Sequence, residues 1–110
     1  MRAQNRQHYR DNERVYKDRA YARKKVVNAD NMRNVIDYLN SHPCANCGET
    51  DPIVLEFDHI DPKAKTSAVS RMIQYHSWET VQKEIEKCQV LCANCHRRKT
   101  AKQLNWYKYL

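Results

Sequence analysis

The chain reads as a small α+β domain, mostly helical, with two short strands and a long basic helix in front of them. Three observations predict this. The 110 residues include a single glycine, which leaves little material for the many tight turns of an all-β fold. Two short apolar runs, Ile53–Phe57 and Gln89–Leu91, stand among segments of helical periodicity. Two Cys-x-x-Cys pairs, Cys44/Cys47 and Cys92/Cys95, bracket the middle of the chain. A chain of this length buries one modest core, and a metal staple offsets what that core lacks.

Two regions are expected: a basic helical arm over residues 1–28 and a compact domain over residues 29–110. In the arm, Arg2, Arg6, Arg10 and Arg14 recur every four residues, which on a helix lays them along one slowly drifting face. Arg19, Arg23, Lys24 and Lys25 extend the charge. Tyr9, Tyr16 and Ala20 form only a thin apolar stripe, so the helix is expected to stand exposed. Such an arm is either a solvated tail or a contact to a nucleic-acid backbone.

The domain begins with a helix over residues 30–42, capped by Asp30. Its apolar face is Met32, Val35, Ile36 and Leu39, and Pro43 stops it. Cys44 to Gly48 form a tight knuckle. The strand Ile53–Phe57 follows and runs into Asp58-His59. Asp61-Pro62 opens a polar loop reaching about Thr66. A short helix is expected over residues 68–75. A second is capped by Ser77, with Trp78, Val81 and Ile85 inward. Gln89–Leu91 is the second strand. The last helix starts near Asn94 and carries Arg97, Arg98, Lys99 and Lys102, and Trp106, Tyr107 and Tyr109 in the tail are expected to pack back on the body.

The formal charge of +7 and a pI of about 9.3 point to a polyanion, of which nucleic acid is the commonest. A membrane is not the expected partner, because the sequence offers no long apolar run. The N-terminal residues are polar and do not read as a secretory signal, so a reducing, cytoplasmic setting is expected for the five cysteines. Paired Cys-x-x-Cys motifs in that setting read as metal ligands rather than disulfides.

Each pair can turn two thiolates to one side, and together they complete a tetrahedral zinc site. Four thiolates leave no open position for a substrate, so this zinc is expected to be structural. A simple zinc ribbon leaves roughly 15–20 residues between its pairs. Here the segment from Gly48 to Leu91 is more than twice as long, so a functional unit sits between the knuckles. Cys88 is left over, either a spare ligand or a reduced, buried thiol at a strand start; the second reading is favoured. Asp58-His59 and His96 flank the unit. An Asp and a His brought together can hold a divalent ion, and a neighbouring His can act as a base. His76 reads as a surface residue.

The stretch Cys44–Thr100, CANCGETDPIVLEFDHIDPK and then EIEKCQVLCANCHRRKT, resembles the HNH endonucleases, the ββα-metal nucleases with a four-cysteine zinc site. The resemblance implies a metal-dependent DNA endonuclease that leaves a 5′-phosphate and a 3′-hydroxyl, with nicking the expected mode. It implies His59 as general base and Asp58 and His96 as ligands of a catalytic magnesium or manganese ion, with nickel also compatible. Arg10, Arg14, Arg19, Arg23, Lys24, Lys25, Arg97, Arg98 and Lys99 are the expected DNA contacts. One feature departs from the family. Its middle Asn, which fixes the loop around the base histidine, has no counterpart: by spacing the place falls at about Lys87. A backbone carbonyl, Gln89 or Asp61 is then the candidate to orient His59. The alternative is a zinc-stapled DNA-binding module without catalysis. Monomer and dimer remain equally open.

Overall fold

The structure is a computed structural model that describes the backbone of residues 2–110 and, in its first helix, the side chains of Arg19 and of residues from Ala22 onward. Its elements are α1 (Arg2–Asn40), β1 (Leu55–His59), α2 (Val69–Met72), α3 (Trp78–Ile85), β2 (Cys88–Cys92) and α4 (Ala93–Gln103), with single 3₁₀ turns at Pro52–Val54, Pro62–Ala64 and Trp106–Tyr109. This is the small α+β architecture expected. The cationic face proposed for Arg2, Arg6, Arg10 and Arg14 lies outside the described side chains.

Asp30 does not start a helix. The backbone runs helical through it, and its carboxylate instead pairs with Arg33 one turn on, at 2.8 Å. The buried face of α1 also differs from the expected one. Val35 and Leu39 are buried and Ile36 is half-buried, but Met32 is exposed. Asn31 takes the inner place, 2% exposed. Its amide donates to the carbonyls of Ile73 and His76 at 3.0 and 2.8 Å, which would otherwise lose water without a replacement partner. A polar residue therefore ties α1 to the end of α2.

β1 and β2 pair antiparallel, with Leu55 opposite Cys92 and His59 opposite Cys88. β1 begins two residues later than the apolar run suggested. Asp51 accepts a hydrogen bond from the Ile53 N–H and Pro52 presets the first turn, so Pro52–Val54 curl before the strand starts. α3 behaves as its sequence requires: the Ser77 hydroxyl caps it on the Thr80 N–H, and Val81 and Ile85 are fully buried. They pack with Leu55, Val69, Met72, Val90 and Leu91 into one core. Successive strand residues face opposite sides. Glu56 and Asp58 thus look towards α4, while on the other face Phe57 meets Tyr38 of α1 and His59 meets Glu84 of α3.

Candidate metal centre and active site

The two knuckles meet because β1 and β2 lie side by side. Cys44 ends the connection from α1, and the Ala45 N–H donates to the Val90 carbonyl at 2.8 Å, stitching the first knuckle to β2. Gly48, at φ 81°, closes the turn in the left-handed region where a side chain is strained. Cys92 ends β2 and caps α4 through its sulfur, which accepts from the Cys95 N–H at 3.4 Å. The four Sγ atoms of Cys44, Cys47, Cys92 and Cys95 all lie within 4.8 Å of one another. Cys47 and Cys92 are 3.7 Å apart at sulfur.

The donor set fits a metal ion. Burial pushes the Cys44 thiol up, but the backbone N–H groups of Cys47, Cys92 and Asn46 outweigh it and bring it down to about 6. Around Cys47 the Glu49 backbone N–H favours the thiolate, yet the sulfurs of Cys44, Cys92 and Cys95 prevail and push it up to about 12. Four thiols this close cannot all ionise without a cation among them, and all four ionised is the state a tetrahedral zinc site needs. Cys88 is outside the cluster. It is half-buried, its Sγ reaches the Glu84 carbonyl at 3.5 Å, and burial with the nearby Glu84 and Asp58 charges raises it to about 11.

On the α4 face of the sheet, Asp58 and His96 come together: Asp58 Oδ1 lies 3.5 Å from His96 Nε2. Glu56 Oε2 holds the other ring nitrogen, Nδ1, at 2.6 Å. Gln89 and Lys99 both donate to Asp58 Oδ2, Gln89 at 3.0 Å. Burial opposes the Asp58 charge, but the Lys99 and Gln89 hydrogen bonds exceed it and hold the carboxyl below its ordinary value. Oδ1 and Nε2 are thus left facing each other. Cis ligands of an octahedral ion at roughly 2.0–2.1 Å stand about 3 Å apart, so the spacing fits a small divalent cation. A carboxylate on the far nitrogen is also the usual support of a metal-ligating histidine.

His59 lies on the opposite face and does not join that pair. Its side chain is 9% exposed, and Nε2 lies 2.7 Å from Glu84 Oε2. Glu84 is 2% exposed, the second buried polar side chain of the domain. Burial raises its carboxyl, but hydrogen bonds from Lys87, the Thr66 N–H and His59 outweigh this and bring it to about 2, so it stays ionised. Neither Gln89 nor Asp61 orients His59: Gln89 serves Asp58, and Asp61 caps its own turn on the Lys63 N–H at 2.9 Å. Lys87 stands where the family's Asn was sought. Its ammonium donates to Glu84 Oε1, the Ala64 carbonyl and Thr66 Oγ1, at 2.9, 2.9 and 3.1 Å. It thereby pins the loop beside His59.

Glu84 is the site residue that sequence reasoning missed. The signal was there in the spacing Val81, Glu84, Ile85, which puts the acid on the buried stripe of α3. The basic residues divide. Arg19, Arg23 and Lys25 are exposed on α1. Lys24 is engaged, donating to the Tyr75 hydroxyl at 3.2 Å. Arg97 lies over the Trp106 ring, Lys99 is paired with Asp58, and Arg98 is exposed. The side chains of Arg10 and Arg14 lie outside the described residues.

No helix among the described residues is long and apolar enough to cross a membrane. The fold and the cysteine cluster define a small α+β domain with a centre suited to zinc. Set against protein-family models, curated proteins and solved structures, the chain matches none of them.

Proposed function

We propose that the chain is a metal-dependent DNA endonuclease of the HNH type. The observation that carries this is the closing of Asp58 on His96 at 3.5 Å, with the next residue of β1, His59, held by a buried Glu84. The four-cysteine site would hold a structural zinc. Held by Cys92 and Cys95, it would fix the end of β2 and the start of α4, where His96 lies against β1. Asp58 and His96 would hold a divalent ion, magnesium or manganese. Such an ion supplies neutralisation of the charge that develops on the scissile phosphate and the leaving oxygen.

The chain's own residues account for the proton. Glu84 is ionised, so it accepts the Nε2 proton of a neutral His59, a tautomer assigned from the hydrogen-bond network. Nδ1 then keeps the lone pair that takes a proton from water, and it has no hydrogen-bond partner among the described residues. In that role His59 would activate the attacking water, while an ion at Asp58 and His96 would face the leaving oxygen. Arg97 and Arg98 on α4, with Arg19, Arg23 and Lys25 on α1, supply phosphate contacts.

One observation favours a second reading. The Lys99 ammonium already neutralises Asp58, which a DNA-binding module without catalysis would also use. Incubation of supercoiled plasmid with the protein separates the two. Nicked circles appearing only with magnesium, manganese or nickel support the nuclease. Binding with no nicking under any of the three leaves the binding module.

A further inference from the structure

The tail after α4 is not absorbed by that function. Asn105 adopts the left-handed conformation, φ 56° and ψ 41°, and turns the chain back. The 3₁₀ turn Trp106–Tyr109 then lies along α4 rather than running away from it. Two aromatic rings are set beside the most basic helix of the domain. Arg97 lies over the Trp106 ring, 5.4 Å from its centroid, and the residue is still 38% exposed. Tyr107, 48% exposed, lines a cleft with Asn94, Arg97 and Arg98.

The position of Trp106 matters more than its exposure. It forms one wall of a second cleft of about 290 Å³, whose other walls are Glu56, Ala93, His96, Arg97 and Thr100. His96 faces Asp58 from this same helix. A nucleotide whose phosphate lay at the Asp58–His96 pair would therefore have an indole ring and an arginine within its own reach. The volume falls just short of the range of clefts that enclose drug-sized ligands, roughly 300–1,000 Å³, and suits a single base. A flat ring with a cation beside it is the surface that unpaired bases stack on, and the arginines match the phosphates between them. A duplex cannot use it, because its bases are already stacked.

We infer that the Trp106 cleft binds an unpaired nucleobase next to the phosphate at Asp58–His96, so that the substrate is DNA with single-stranded character. This rests on the nuclease reading above and names the substrate class of the same site. Trp106 is the stacking platform. Arg97 holds the ring and offers a charge to the neighbouring phosphate, and Tyr107 provides a second ring further along the strand.

The test is binding without chemistry. A labelled oligothymidylate and a labelled duplex of equal length are titrated with the protein by fluorescence anisotropy, in buffer without added magnesium or manganese. Trp106→Leu keeps an apolar group on α4 and removes the platform; Trp106→Phe keeps a ring. The Leu variant is expected to weaken single-strand binding about 5- to 150-fold and to leave duplex binding nearly unchanged. The Phe variant should recover most of the loss. The parent's tryptophan emission should be quenched by the oligothymidylate, since Trp78 is packed against the core. Unchanged single-strand affinity in the Leu variant overturns the stacking site alone, as does an equal loss on both strand forms. A parent that binds neither form overturns the DNA reading with it. Because no cleavage is measured, an inactive but strand-selective protein would sink the nuclease and leave this site standing.

Discussion

The cysteine centre and the Asp58–His96 cleft draw on neighbouring residues of α4, Cys95 and His96, and are built on opposite plans. The first is closed. Four identical donors converge within 4.8 Å, with backbone N–H groups aimed at the sulfurs. The second is open. Two unlike donors stand 3.5 Å apart, each steadied from behind by a carboxylate, an amide or an ammonium, with a cleft beside them. On the nuclease reading proposed above, the difference teaches how a small chain would divide its metal chemistry. A full ligand set contributes folding energy and excludes substrate, whereas a partial set contributes little to folding and admits a phosphate.

The strongest way to break the comparison is to open the closed site. Cys44→Ser or Cys92→Ser is expected to abolish stoichiometric zinc and cooperative folding together, read by elemental analysis and thermal melting. Cys88→Ser should keep both, because that thiol lies outside the cluster. A folded parent that contains no zinc would remove the closed site from the account altogether.

Changes at His59 and in the open site should leave zinc in place and act on rate. His59→Gln keeps a side-chain donor for Glu84 and removes the base, and is expected to slow plasmid nicking ~10²–10⁴-fold. Asp58→Ala and His96→Ala should also slow it, with partial rescue by added manganese that His59→Gln does not share. Nicking as fast as the parent in His59→Gln would be fatal to the mechanism.

Glu84 stands apart from both plans: it is buried like the cysteines, but it holds His59 and Lys87 on the other face of β1. Glu84→Ala strands Lys87 and His59 and should cost about 3–5 kcal/mol in denaturant unfolding. The pH dependence has a definite sign. The Glu84 carboxyl falls from an ordinary 4.5 to about 2 on folding, so its contribution is complete above about 4.5 and is lost as pH drops towards 2. The loss should be absent from Glu84→Gln. An equal acid loss of stability in both proteins would assign it to other carboxylates.

The smallest effect concerns the arm. Removing residues 1–28 should lower DNA affinity and flatten its salt dependence, because fewer counterions are released on binding. An unchanged slope would mark the arm as a solvated tail. The cut leaves Asn31, and with it the tie to α2, in place.

The closed site was fully legible in sequence because its ligands come in local pairs: spacing alone brings Cys44 to Cys47 and Cys92 to Cys95. Ser77, Val81 and Ile85 were legible for the same reason, being one cap and one helical stripe. The open site was half legible. Asp58 and His96 could be named as partners because His96 follows the Cys95 knuckle and Asp58 ends the first strand, but the hairpin register and the supports at Glu56, Gln89 and Lys99 are tertiary facts. Glu84 and Asn31 were not read at all. Acids and amides on helices are usually wet, and only a partner distant in sequence, His59 or the Ile73 carbonyl, makes their burial tolerable. The start of β1 was misplaced because a single Asp51-Pro52 cap outranked a β-branched run.

The long segment between the knuckles also sets a clock. Cys44 and Cys47 leave the ribosome well before Cys92 and Cys95, and at ~5–20 residues per second the gap is on the order of 2–10 s. Over that time the first pair can hold a metal only by two thiolates, and loosely. His96 follows Cys95 directly, so the residue that completes the second pair is made just before the one that faces Asp58. Metal capture and assembly of the acid–histidine cleft are therefore ordered by synthesis. The nascent chain passes through its most basic stretch, and then its lone DH step, long before the fold that positions them is complete.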